Sequence, residues 1–194
     1  LAKCDNLPTA EARRACRRAA AAELEEAMGE CGEQLEARLE VCAGLGEAPY
    51  NPVIDPANFV SRIDNPFFPL RPGTTFIYEG HTEEGFEHTE FHVTSETKTI
   101  LGVRCVQVQD TALVDGELVE DTLDWFAQDR LGNVWYFGEL SMSFEDGELA
   151  SLEGSWEAGV DGAKPGIVMK ARPQVGDLYR QEFALSTAED LASV

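Results

Sequence analysis

From Thr74 onward the chain is punctuated by dipeptides that favour tight turns. They are Glu84-Gly85, Asp115-Gly116, Leu131-Gly132-Asn133, Asp146-Gly147 and Asp161-Gly162. The runs between them are rich in β-branched and aromatic residues and alternate in polarity, as strands do. Parallel strands need long crossovers, and there is no room for them here. The pattern therefore predicts an antiparallel β-meander, a curved sheet or partial barrel, with strands near 74–82, 86–99, 103–114, 117–128, 134–144, 148–157 and 178–184.

Two hairpins test the register. A two-residue turn at Glu84-Gly85 sets Tyr78 against Phe91 and Phe76 against Val93. The other face then carries Glu79, His81, His88, Glu90 and His92, with His81 opposite His88 and Glu79 opposite Glu90. A turn at Asp115-Gly116 sets Val106 against Trp125 and Val108 against Leu123. Each hairpin separates polar from apolar, which is what a sheet with one buried face requires. Val134-Trp135-Tyr136-Phe137 is apolar on both faces and reads as a central strand.

The first third is different. Residues 9–43 are rich in Ala, Glu, Arg and Leu and contain no proline, and Thr9 is placed to cap a helix. Ala12, Cys16, Ala20, Leu24, Met28, Cys31, Leu35, Leu39 and Cys42 recur every three or four residues as one apolar stripe. Two geometries fit, a single long helix of about 50 Å or a disulfide-linked αα-hairpin turning at Gly29-Glu30-Cys31-Gly32. The stripe passes through the glycines unbroken, which favours the single helix. Between the regions, Pro49, Pro52, Pro56, Pro66 and Pro69 exclude regular helix and predict an extended arm with apolar anchors. Ser186-Thr187-Ala188-Glu189 matches a capping box and predicts the start of a short C-terminal helix. The whole is an α+β chain with a Cys-bearing helical segment at 1–48, an arm at 49–73 and a β domain at 74–194.

Charge narrows the function. The 194 residues carry 15 Lys and Arg against 36 Asp and Glu, a net charge of −21. That excludes a nucleic-acid partner and docking on anionic lipid, both of which draw on a cationic surface. No apolar run reaches the roughly 20 residues of a membrane helix, so membrane insertion is not expected. Cys4, Cys16, Cys31 and Cys42 lie at C-x11-C-x14-C-x10-C without any C-x2-C pair. They are disulfide candidates rather than zinc ligands, and disulfides imply an oxidising compartment, extracellular or periplasmic. A chain beginning at Leu1 fits a processed, secreted protein. Cys105 is the odd cysteine, read as a buried thiol or as a link to the helical region.

Three constellations carry candidate chemistry. His81, His88 and His92 with Glu79 and Glu90 offer imidazole and carboxylate ligands for zinc or copper, or else a solvated polar face. Asp129 and Asn133 flank Gly132 as oxygens do in calcium loops, or else as turn formers. Calcium is the better match for so acidic a chain, zinc and copper the lesser. Phe76, Tyr78, Phe91, Trp125 and Trp135 would line an apolar pocket if the sheet closes on itself. Catalytic templates are missing. Glu139 with Glu120, Asp121 and Asp124 could supply paired carboxylates for glycoside chemistry, but acids are too abundant for any one pair to stand out.

Asp124-Trp125-Phe126-Ala127-Gln128-Asp129, continuing Gly132-Asn133-Val134-Trp135-Tyr136-Phe137-Gly138-Glu139, resembles a signature of a group of uncharacterised secreted bacterial proteins. Thr97-Lys98 with Gly102-Val103, Pro165 to Met169, Tyr179 to Glu182 and the helical leader ending Leu45 to Tyr50 belong to the same pattern. The resemblance implies secretion and a β region that continues beyond Val194. It implies no activity and no site residues.

Two functions fit these features. The first is a non-catalytic extracellular structural protein that self-assembles into an oligomer or polymer through its helix, arm or sheet edge, with calcium as its ion. The alternative is a secreted, barrel-like binding protein for a small apolar ligand or a transition metal.

Overall fold

In a computed structural model, described for residues 2–46 and 48–194, the chain divides into two units, residues 1–49 and 50–194. The arm from Tyr50 onward thus belongs with the β-unit. In the first unit α1 (Ala2–Asp5) leads into α2 (Ala10–Leu45), one helix of 36 residues. No hairpin turn forms at Gly29–Gly32. Two glycines cost about 1 kcal/mol each in a helix, which the strong helix formers around them outweigh. Thr9 Oγ1 accepts from the Ala12 N–H at 3.1 Å, and the Gly46 N–H closes the other end on Cys42 O at 2.9 Å. Cys4 and Cys16 form the disulfide that ties α1 to α2. Cys31 and Cys42, the other two candidates, are exposed thiols.

The second unit is a curled antiparallel sheet, a half-barrel of seven strands that lie side by side in the order Glu182–Phe183, Lys164–Met169, Val134–Glu145, Glu117–Asp129, Val103–Val114, Phe86–Ile100 and Thr75–His81. Its long strands are β2 (Thr75–His81), β3 (Phe86–Ile100), β4 (Val103–Val114), β5 (Glu117–Asp129) and β6 (Val134–Glu145). Short strands complete it: β1 (Phe59–Val60) on β5, β7 (Glu148–Ser151) and β8 (Trp156–Glu157) on β6, then β9 (Lys164–Met169) and β11 (Glu182–Phe183). β10 (Leu178–Arg180) pairs separately with β12 (Leu191–Ser193). β6 is central, as its two-sided apolarity predicts.

Both tested registers differ from expectation. The first hairpin has a four-residue connection, closed by the Thr82 N–H to Gly85 O at 2.9 Å. Phe76 therefore faces Phe91, Glu79 faces His88 and His81 faces Phe86. A slip of two residues preserves the faces, because side chains alternate with period two. In the second hairpin Leu113 pairs with Leu118 but Ala112 with Glu120, leaving Val119 as a bulge. A slip of one exchanges the faces. Asp124 and Phe126 turn to the side of Val108 and Val106, while Leu123 and Trp125 turn away.

β9 is a strand that Pro165-Gly166 disguises as a turn. Gly166 is required there, since a Cβ would lie 2.3 Å from Gln181 O on the neighbouring chain segment. Gly138, at φ +142°, does the same for β8, where a Cβ would lie 2.4 Å from Trp156 O. The arm sinks Ile63 and Leu70 into the core. Asn65 locks it by donating to Gly132 O at 2.8 Å and accepting the Phe67 N–H at 2.8 Å. The predicted C-terminal helix is absent. The Ser186 N–H does bond Glu189 Oε1 at 2.9 Å, half of a capping box. The chain then turns back, with Ala184 bridging Ala188, and runs as β12.

Candidate functional site

The curl of the sheet and its bulges create a trough of about 420 Å³ on the concave face. One wall is aromatic. Phe68 packs edge-on against Phe91 and Phe126 at 6.0 and 5.5 Å, and Phe126 stacks on Tyr136 at 4.7 Å. The rest is acidic, with Glu87 from β3, Asp110 from β4, Glu120 and Asp124 from β5, Glu139 from β6 and Glu182 from β11. Thr89, Thr122 and Gln181 complete the polar lining, and no Lys or Arg contributes among the described residues.

Asp124 and Glu139 sit directly opposite each other in the ladder. Like charges so placed repel. Tyr136 lies between them, its hydroxyl bonding Asp124 Oδ1 and lying 3.1 Å from Glu139 Oε2. A phenol has one hydrogen to donate. Two full two-centre hydrogen bonds here require one carboxyl to be protonated and to donate to the phenol oxygen. The electrostatics agree. Burial, reinforced by Glu139, Asp110 and Glu120, pushes the Asp124 carboxyl up to about 8 against the opposing Tyr136 bond. Burial likewise raises Glu139. Glu182 is pushed up to about 8, first by burial and then by Glu139, Asp190 and Asp124. Asp110 rises to about 6 through burial and then Glu120, Asp121 and Glu87. Burial and the two flanking carboxyls hold the Tyr136 phenol well above its usual range.

Among the described residues, two buried polar atoms in this region have no hydrogen-bond partner, Asp110 Oδ1 and Trp156 Nε1. Trp156 packs edge-on against Tyr136 at 5.4 Å. Its indole N–H is directed toward Glu139, whose charge it favours, without reaching hydrogen-bond geometry. Orphaned groups of this kind are rare in folded proteins and mark places where something else is bound or strain is kept.

The residues singled out from sequence are distributed differently. His81, His88, His92, Glu79 and Glu90 do share the opposite face of the β2–β3 hairpin. There His88 contacts Glu79 through Nδ1 at 3.0 Å and Glu90 through Nε2 at 3.3 Å. Those bonds, Glu79's first, raise its pKa. His92 bonds Thr75 at 2.8 Å and His81 packs on Phe86 at 5.2 Å. Among the described residues no group of three or more His, Cys, Asp or Glu is placed to hold a metal ion. Asp129 spends its carboxylate on the Leu131 and Asn133 N–H groups, the Asn133 amide and the Trp135 indole N–H, all at 2.8–2.9 Å. Asn133 Oδ1 accepts the Ala171 N–H at 2.9 Å. These side chains tie the turn together.

Of the aromatic candidates, Phe91 lines the trough, and Phe76, Tyr78 and Phe91 border a small adjoining pocket of about 60 Å³. Trp125 lies on the other face, under the Lys98 ammonium at 3.5 Å, and Trp135 bonds Asp129. Phe126, Tyr136, Asp110 and Glu182 also line the trough, and no sequence motif marks them. Asp124, Glu139 and Glu120 stand out in the sequence as acids but not as a cluster, because the bulge at Val119 leaves no mark on the alternation.

No protein-family model, no curated protein and no solved structure matches this chain. The site therefore stands on its own geometry.

Proposed function

We propose that the β-unit is a secreted, non-catalytic binding module that holds a small molecule in its concave trough. One observation carries the reading: four aromatic rings and six carboxyls line a single cavity without a basic side chain among the described residues. Small-molecule sites combine an apolar wall with a few converging polar groups in this way. Binding is favoured over catalysis because Asp124 is only 5% exposed and committed to Tyr136. The disulfide and the resemblance to secreted proteins support the extracellular setting. Thermal unfolding of the whole chain with a panel of neutral aromatics, organic ammonium ions, organic anions, calcium, zinc and copper tests the reading. A ligand at a hundred times its Kd stabilises by about 2.7 kcal/mol, a rise in Tm of at least about 5 °C for a unit of this size. Protein that no class stabilises, at millimolar concentration, contradicts it.

The helical unit supports a second reading, association with another copy of the chain. Leu24, Met28, Leu35 and Leu39 are 60–68% exposed along one stripe of α2, and the thiols of Cys31 and Cys42 lie on the same stripe. Eleven residues separate the thiols, about three turns or 16 Å. A parallel, in-register second copy brings both thiols to their own counterparts and superposes the whole stripe. Two thiols then lose two hydrogens to a small-molecule disulfide such as oxidised glutathione, which leaves as two thiols. A dimer on a non-reducing gel that Cys31→Ser with Cys42→Ser abolishes is the expected result. A monomer after oxidation contradicts it.

A further inference from the structure

Resting on the binding reading above, we propose that the occupant of the trough is an organic ammonium ion with an apolar body, taken up in exchange for protons shared among Asp124, Tyr136, Glu139 and Glu182. The lining disfavours anions, purely apolar molecules and metal ions. An anion would meet six carboxyls with no cation to receive it. A neutral apolar molecule would desolvate those carboxyls and return no hydrogen bond, which is costly. A metal ion needs converging ligands, and no such group is placed for it among the described residues. An ammonium head supplies what the trough lacks. It brings N–H donors for the carboxyls that line the trough. It brings positive charge, which the faces of Phe91, Phe126 and Tyr136 attract along with the carboxyls. Its hydrocarbon body matches the Phe68–Phe91–Phe126 wall.

The exchange follows from counting hydrogens. The charged groups that shift the Asp124–Tyr136–Glu139 bridge are acidic among the described residues: Asp110 from β4, Glu120 from β5, Glu182 from β11 and Asp190 beyond it. The same holds for Asp110, which faces Glu87 from β3 and Glu120 and Asp121 from β5. With no base nearby, the empty site can keep its carboxyls together only by retaining protons. A bound ammonium ion takes over that neutralising role, so a proton leaves as it enters. Affinity then rises with pH, by about tenfold per pH unit for one proton released.

Isothermal titration of the whole chain tests this with three isosteric probes, 2-phenylethylammonium, 2-phenylethanol and 3-phenylpropionate. Run at pH 6.0, 7.0 and 8.0 in two buffers of different ionisation enthalpy, it reads affinity and protons together. The ammonium ion alone is expected to bind, about fivefold more tightly at pH 8.0 than at pH 7.0 for one group titrating near 8, with proton release at each pH. Asp124→Asn keeps a group that can bond Tyr136 and is expected to reduce the proton release while far-UV circular dichroism stays unchanged. Should that variant unfold, the infrared carboxylic-acid band of the unliganded wild type at pH 7 serves instead. It is expected to be present, and to weaken on adding the ammonium ion. Equal or tighter binding of the alcohol, or affinity that does not rise with pH, overturns the inference and leaves the binding reading standing. Failure of all three probes, together with the ligand panel, overturns both.

Discussion

At the scale of residues, the Asp124–Tyr136–Glu139 bridge makes this protein titrate against habit. Carboxyls in folded proteins usually have depressed pKa values, and stability is lost as pH falls. Here burial first, and then neighbouring carboxyls, raise Asp124 and Glu182 to about 8. The folded chain then holds more protons than the unfolded one between about pH 4 and pH 8. Their contribution to stability is full below pH 4 and lost as pH rises through 8. Tm of the unliganded protein is therefore expected to be higher at pH 5 than at pH 9, and Asp124→Asn is expected to flatten that slope. A Tm that climbs from pH 5 to pH 9 would refute the assignment. Cys105 is a second residue whose surroundings decide its chemistry. Burial pushes its thiol up to about 12, so iodoacetamide should label Cys31 and Cys42 and spare Cys105 until the protein unfolds, as peptide mass spectrometry would read.

Elements explain which parts of the site could be read from sequence. Hairpins and the three-histidine face were legible because turn dipeptides announce them, and the register error of two residues keeps each side chain on its face. The acidic trough was not legible, because Val119 is one extra residue in β5. An alternation that looks clean with Trp125 and Leu123 inward is reversed by that single bulge, and it is Asp124 and Phe126 that line the trough. β9 was hidden for a different reason. Its Pro165-Gly166 is ordinarily a strand breaker, yet Gly166 is what lets β9 lie against the segment carrying Glu182. Gly166→Ala is accordingly expected to destabilise the unit by about 1–3 kcal/mol through overpacking and to displace Glu182. Chemical denaturation measures the first effect, and loss of ligand stabilisation reports the second. A variant as stable as wild type would show that the approach of the two segments is not tight.

The whole chain joins two units built on different rules. Residues 1–49 hold 6 basic and 10 acidic side chains, and the remainder hold 9 and 26. The acidity thus belongs mainly to the β-unit. Six of its acids are drawn into one cavity rather than spread over turns and outward faces. The helical unit keeps an apolar stripe and two thiols exposed instead. Binding and self-association are accordingly separable. Replacing Cys31 and Cys42 by Ser should leave ligand stabilisation unchanged, while Asp124→Asn should leave disulfide-linked dimers unchanged. Proton sharing across Tyr136 by the buried carboxyls of the trough is read out by carbon-13 NMR of the Asp and Glu side-chain carboxyls from pH 4 to pH 9. Asp124 is predicted to remain protonated at pH 7 and to titrate near 8. An Asp124 that titrates with the ordinary carboxyls near pH 4 would contradict it.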